Sequence, residues 1–319
     1  MTVREAIRKA MSDEMSADRN VVLFGEDVGV YGGCFKVTEG LWKEHPDQVI
    51  DTPVSEEGFT GMAVGAAMMG LRPIIEIMYA DFYTLIFDPI VNHAAKTHFM
   101  SGGQFCCPIT VRLPEGSGTG HGAQHTQSPE ALFMNGTGLK IVAPSNPSDA
   151  YHLLRASIRD NNPVLFFEHK LLYPMDGEIS SDPVQLGKAK VIGNGLDVTI
   201  IAYSHAVSTA LETAEILHGM GINATVVDLR TLNPLDKDTI FEQVQKTGRA
   251  VLIQDPNGIG GIEAQVCASI CQDRKTFSSL KCQVLQFSGK DTPIPFSKDL
   301  ERLTIPQADK VAIEIGKLF

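Results

Sequence analysis

Short apolar runs alternate with segments of helical periodicity along this chain; the alternation stops once and then starts again. Few folds suit that pattern. Strands buried on both faces read as near-continuous apolar runs, and the helices between them cover both faces of a mostly parallel sheet. Thr2 can cap a first helix reaching about Met15, with Val3, Ile7, Ala10 and Met11 on one face. A strand is expected at Val21–Gly25, then a helix over 56–70 carrying Phe59, Met62, Ala63, Ala66 and Ala67, then a strand over 72–78. A second long helix is expected over 81–99, kinked at Pro89. Strands at 108–113, 139–143 and 163–168 follow, with a helix at 147–160. From Leu171 to about Leu186 the periodicity is lost among prolines, serines and acids, which marks a linker. Strands at 197–202, 224–229, 250–253 and 282–286 then alternate with helices at 205–220, 236–245 and 261–272. The 319 residues thus divide into an α/β domain over 1–175, a linker over 176–190 and a second α/β domain over 191–319.

Composition narrows the function classes. A formal net charge of -11 without a cluster of Lys and Arg lacks the electrostatic footprint of a nucleic-acid binder, yet suits a basic protein partner. No apolar run approaches the roughly 20 residues of a membrane span. The opening MTVREAIRKAMSDEM is charged throughout, unlike a signal peptide, so a cytoplasmic location is expected. Cysteines at 34, 106, 107, 267, 271 and 282 form no C-x-x-C pair and read as free thiols.

Two segments could carry chemistry. DTPVSEEGFTG places Glu56 where a strand end meets a helix N-terminus, the edge at which open α/β sheets bind ligands. A carboxyl buried there could stay protonated near neutral pH; alternatively Glu56 and Glu57 only complement the helix dipole. The loop EGSGTGHGAQHTQSPE has glycines that permit close backbone approach, and it carries His121 and His125, which could move a proton or donate to an oxyanion. A surface or packing role is the plain alternative. The glycine spacing does not fit a dinucleotide fingerprint. The chain has no Walker loop, HExxH or GxSxG. It also lacks the GDG…N pattern with which thiamine enzymes hold magnesium and diphosphate, so a cofactor phosphate would need another chain.

DTPVSEEGFTGMAVGAAMMGLRPIIEI, the ADF at 80–82, HGAQHTQSPEA, SIRDNNPVLFFEHKLLY and VVDLRTLNPLD together resemble the beta subunits of two-subunit 2-oxo acid and acetoin dehydrogenase first components. The resemblance runs in order from about Val3 to the C-terminus. It implies a pyrimidine-type thiamine-diphosphate-binding domain followed by a transketolase C-terminal-like domain, in a heterotetramer of two alpha and two beta chains. Magnesium and the diphosphate would sit on alpha and the aminopyrimidine on beta.

By that resemblance Glu56 hydrogen-bonds the pyrimidine ring and drives the proton exchange that activates the cofactor, while Phe82 contacts the aminopyrimidine. His125 helps transfer the acyl group to a lipoyl domain, and His121 has a lesser, substrate-facing role. Ile109, Ser157, Ile158, Asp160 and Asn162 resemble a potassium site of carbonyl and carboxylate oxygens. A lipoyl acyltransferase core is implied as a further partner, docking on the C-terminal domain. EHKLLY, GEI and AYS favour acetoin or pyruvate as substrate, whereas GHGAQHTQSPEALF and YADF lean to branched-chain 2-oxo acids. A split transketolase-type transferase and a non-catalytic assembly subunit are the rival readings.

Overall fold

The computed structural model describes residues 1–319 and arranges twelve strands in two sheets. They are β1 (Val21–Gly25), β2 (Val49–Asp51), β3 (Arg72–Glu76), β4 (Thr110–Glu115), β5 (Lys140–Val142), β6 (Val164–His169), β7 (Lys190–Ile192), β8 (Val198–Ala202), β9 (Ala224–Asp228), β10 (Thr231–Asn233), β11 (Ala250–Asn257) and β12 (Leu285–Gly289). The first sheet has the order β10-β5-β6-β4-β3-β1-β2 and the second β12-β11-β8-β9-β7. All neighbours are parallel except β10 with β5 and β7 with β9.

The period of two along the strands sorts the core of the first sheet. Leu23, Ile74, Val164 and Phe166 face the helices Val3–Ala17 and Pro147–Arg159. Val22, Phe24, Ile75, Val111, Leu113, Leu165 and Phe167 face the other side, with Phe59, Ala63 and Ala67 of the helix Glu56–Met68. That second core continues without a break into Ile201, Val227 and Leu252 of the second sheet and Ile262 of the helix Ile262–Gln272 beside it. The first helix begins at a capping box between Thr2 and Glu5, a device that contributes about 1 kcal/mol.

The helix expected over 81–99 is not continuous. It runs as a 3-10 turn Ala80–Phe82, an α-helix Tyr83–Asp88, a π-helical stretch Pro89–Ala94 and an α-helix Ala95–Met100. Pro89 has no N–H to give the preceding turn, and the ladder widens there into the π-helical stretch. The three-residue strands β2, β7 and β10 and the helices Arg274–Ser279 and Lys298–Arg302 carry no periodicity signal that announces them; the helix Ala308–Gly316 does, with Ala308, Val311, Ala312 and Ile315 on its buried face, and sequence reasoning missed it. No helix is long and apolar enough to cross a membrane.

Candidate functional site

Because β2, β1, β3, β4, β6 and β5 are parallel, their carboxyl ends share one edge, and the loops leaving it converge. Glu26 follows β1, Glu56 follows β2, the segment Tyr79–Phe82 follows β3, the glycine-rich loop follows β4 and Lys170 follows β6. Glu56 opens its helix and is only 8 % exposed, whereas Glu57 faces solvent. A Cβ at Gly58 would meet Ser55 Oγ at 2.8 Å, so the glycine lets the turn close against the helix start. Glu26 is buried with Oε1 unpartnered. Burial, and then the nearby charge of Glu56, push its carboxyl up to about 6.

An aromatic group lies on the same edge. The His125 ring stands edge-on to Tyr79 at 4.6 Å and to Phe82 at 5.7 Å, and His121 approaches Tyr79 at 5.9 Å. His125 is half-buried and His121 exposed. Burial, then the Lys170 charge, hold the His121 imidazole below its usual value. The loop is fastened from beneath. Asp81 Oδ1 accepts the Thr126 and Gln127 N–H groups at 3.1 and 3.0 Å. Lys170 Nζ donates to the His125 carbonyl at 2.6 Å, and burial lowers that ammonium to about 8. Sequence reasoning brought out Glu56, Phe82, His121 and His125, and the structure gathers all four on this edge. It missed Glu26, Asp81 and Lys170. The GED at 25–27, directly after a strand, was the available signal for Glu26.

A buried carboxyl, an orphaned carboxylate oxygen and an aromatic wall suit a planar heteroaromatic ring that presents nitrogen donors and acceptors. The aminopyrimidine of thiamine diphosphate is such a ring, and these residues fit it. The oxygen set for potassium is more crowded. Arg72 Nη1 donates to both the Ile158 and Asp160 carbonyls at 3.1 Å. Lys140 bonds the Asp160 carboxylate. The Ile109 carbonyl accepts from Val164 N–H at 2.9 Å and that of Ser157 from Asp160 N–H at 3.2 Å; the Asn162 side chain turns to Asp160. Each carbonyl retains a second lone pair, so an ion would share the Ile158 and Asp160 oxygens with Arg72.

Behind the loop, polar side chains of both domains meet. Tyr203 donates to Glu130 at 2.6 Å, and burial raises the carboxyls of both Glu130 and Glu115. His205 Nδ1 bonds Asp255 at 2.7 Å and stacks on His169 at 4.7 Å; burial drops the His169 imidazole to about 3. Beside them a cavity of about 720 Å³ opens between Gln127 and Pro129 on one wall and Asp255, Ile259 and Lys290 on the other.

Comparison with known proteins fits this geometry. Residues 1–176 match the transketolase pyrimidine-binding domain and residues 187–311 the transketolase C-terminal domain. A solved split-gene transketolase, an inactive beta4 tetramer, superposes with a TM-score of 0.82 at 21% identity, covering 100% of this chain and 98% of that one. A pyruvate dehydrogenase E1 component subunit beta from Rickettsia bellii is 46% identical, over 100% of this chain and 98% of the relative. The mitochondrial E1 subunit beta-2 of Oryza sativa is 45% identical, over 98% of this chain and 84% of the relative. Matched end to end at that identity, and carrying both transketolase-type domains, the chain belongs to the family of pyruvate dehydrogenase E1 component beta subunits.

Proposed function

We propose that this chain, joined to an alpha subunit, decarboxylates pyruvate and passes the acetyl group to a lipoyl group. The observation that carries this reading is Glu56, a buried acid at the carboxyl edge of the sheet, beside an orphaned Glu26 oxygen and an aromatic cluster. Pyruvate takes precedence over acetoin and branched-chain substrates because the relatives are named for it.

Thiamine diphosphate would supply the nucleophilic carbon that attacks the oxo group and the sink for the electron pair left when carbon dioxide departs. In this chain Glu56 would hold a proton against the pyrimidine ring and exchange it. Glu26 would share the same polar corner, its carboxyl protonated over part of the working pH range. Phe82 and Tyr79 would close the aromatic wall and exclude water. His125, fixed through its carbonyl by Lys170, is placed to give or take a proton as the acyl group moves to the lipoyl sulfur; His121, more exposed, would face substrate.

The chain carries no GDG…N pattern, so the diphosphate and magnesium fall to the alpha subunit, in a heterotetramer of two chains of each kind. A lipoyl acyltransferase core is the partner that receives the acyl group. Potassium belongs to the same reading, at Ile109, Ser157, Ile158, Asp160 and Asn162.

The test is dye reduction by this chain co-expressed with an alpha subunit, with thiamine diphosphate and magnesium, on pyruvate, acetoin and branched-chain 2-oxo acids. Activity on pyruvate that disappears without alpha is expected. Inactivity on the whole panel by a stable assembly would point to a split transferase instead.

A further inference from the structure

Gly116, Gly118, Gly120 and Gly122 all take positive φ, between +75 and +101°, while the residues between them do not. Glycines of positive φ alternating with residues of negative φ can turn successive N–H groups toward one side and make a concave anion site, the arrangement that elsewhere holds phosphate. Here a carboxylate from the other domain fills it. Glu301 Oε1 accepts the Gly118 N–H at 2.6 Å, and Oε2 accepts the Gly120 N–H at 2.9 Å. Glu301 is 1 % exposed and lies more than 180 residues away in sequence, on the short helix Lys298–Arg302. A Cβ on Gly122 would meet the Phe296 ring at 3.3 Å, and one on Gly120 the Lys298 stem at the same distance. Three neighbours from one segment of the second domain therefore bear on one stretch of this loop.

We infer that Glu301 is a positioning residue for the acyl-transfer half of the reaction: its carboxylate sets the loop that carries His121 and His125. The inference rests on the reading of His125 given above. Asp81 and Lys170 hold the loop at residues 125–127, and Glu301 holds it at 118–120. His121 and His125 lie between or on these two anchorages. With Glu301 removed, the stretch from Gly118 to Gly120 loses its anchorage between Gly116, which stays bonded to the Gln127 carbonyl, and Gly122, and two partly buried amides lose their acceptor. A histidine displaced by about 1 Å forfeits much of its rate advantage. Glu26 and Glu56 touch none of these groups, and the aromatic wall meets the loop only at the ring edges of His121 and His125, so decarboxylation should suffer far less than transfer.

The experiment uses the assembled enzyme and two acceptors. Transfer to a lipoyl domain needs the loop; reduction of an artificial dye reads decarboxylation without that transfer. Glu301→Gln, whose amide cannot accept at both positions, is expected to slow the lipoyl-dependent rate roughly tenfold or more, while dye reduction stays within about threefold. Glu301→Asp keeps the charge at a shorter reach and should recover part of the loss; if the Gln variant fails to fold, the same split is read in the Asp variant. Equal loss in both assays, or no loss in either, by a folded variant would overturn the inference. Wild-type enzyme inert toward pyruvate in both assays would instead overturn the function on which the inference rests.

Discussion

At the scale of single residues, the pyrimidine corner asks for an acid that can hold a proton where water is scarce. Glu56 has the burial, and its neighbour Glu26 has a carboxyl that burial and the Glu56 charge push up to about 6. Glu56→Gln preserves shape and removes the exchangeable proton. Turnover of the assembled enzyme should fall below roughly a tenth of wild type with little change in melting temperature; retention of most of the activity would remove Glu56 from its role. Its burial at the sheet's carboxyl edge was legible in the sequence because the cue is local: an acid and a glycine at a strand-to-helix junction. Asp81, Lys170 and Glu301 were not, because each acts on backbone groups 45 or more residues away, a contact that no local pattern encodes.

The elements show the same division. β1 and β6 carry runs of four apolar residues, VVLF and VLFF, and β3, β8 and β9 cores rich in β-branched residues, PII, VTII and TVV, so all five announce themselves. β2, β7 and β10 are three residues long and owe their existence to the strand beside them, so tertiary pairing made them and local propensity did not. Pro89 was legible as an interruption; the π-helical form of that interruption depended on packing. The segment after the helix Pro147–Arg159 is where potassium would bind, and Arg72 already bonds two of its carbonyls. An ion that shares those oxygens binds weakly, so the melting temperature should rise saturably with potassium in the millimolar range and less with sodium. An identical response to the two salts would take potassium out of the reading.

Over the whole molecule, the two domains are joined by charge as well as by a common core. Arg230 clasps Asp149 with two hydrogen bonds, at 2.9 and 2.6 Å, and Ser145 donates to Asp228 at 2.5 Å. Burial, then the charge of Asp149, raise the Asp228 carboxyl from 3.8 to about 7. The native state therefore keeps a proton that the unfolded chain releases near pH 4, and stability falls as pH rises from about 4 to about 7. Such a shift corresponds to roughly 4 kcal/mol at its limit. Denaturant unfolding of Asp228→Asn should show a smaller loss between pH 5 and pH 7.5 than wild type, by a few kcal/mol; equal losses would assign the effect to other acids. Strand β10 ties the domains in a different way, because the second domain lends it to the edge of the first sheet beside β5. A ribosome-bound chain thus leaves that edge of the first sheet uncapped until residue 233 has emerged, and a fragment cut at the linker never caps it. Bare edges recruit other chains, so the first domain made on its own invites self-association, and its partner in the same polypeptide serves as its guard against aggregation.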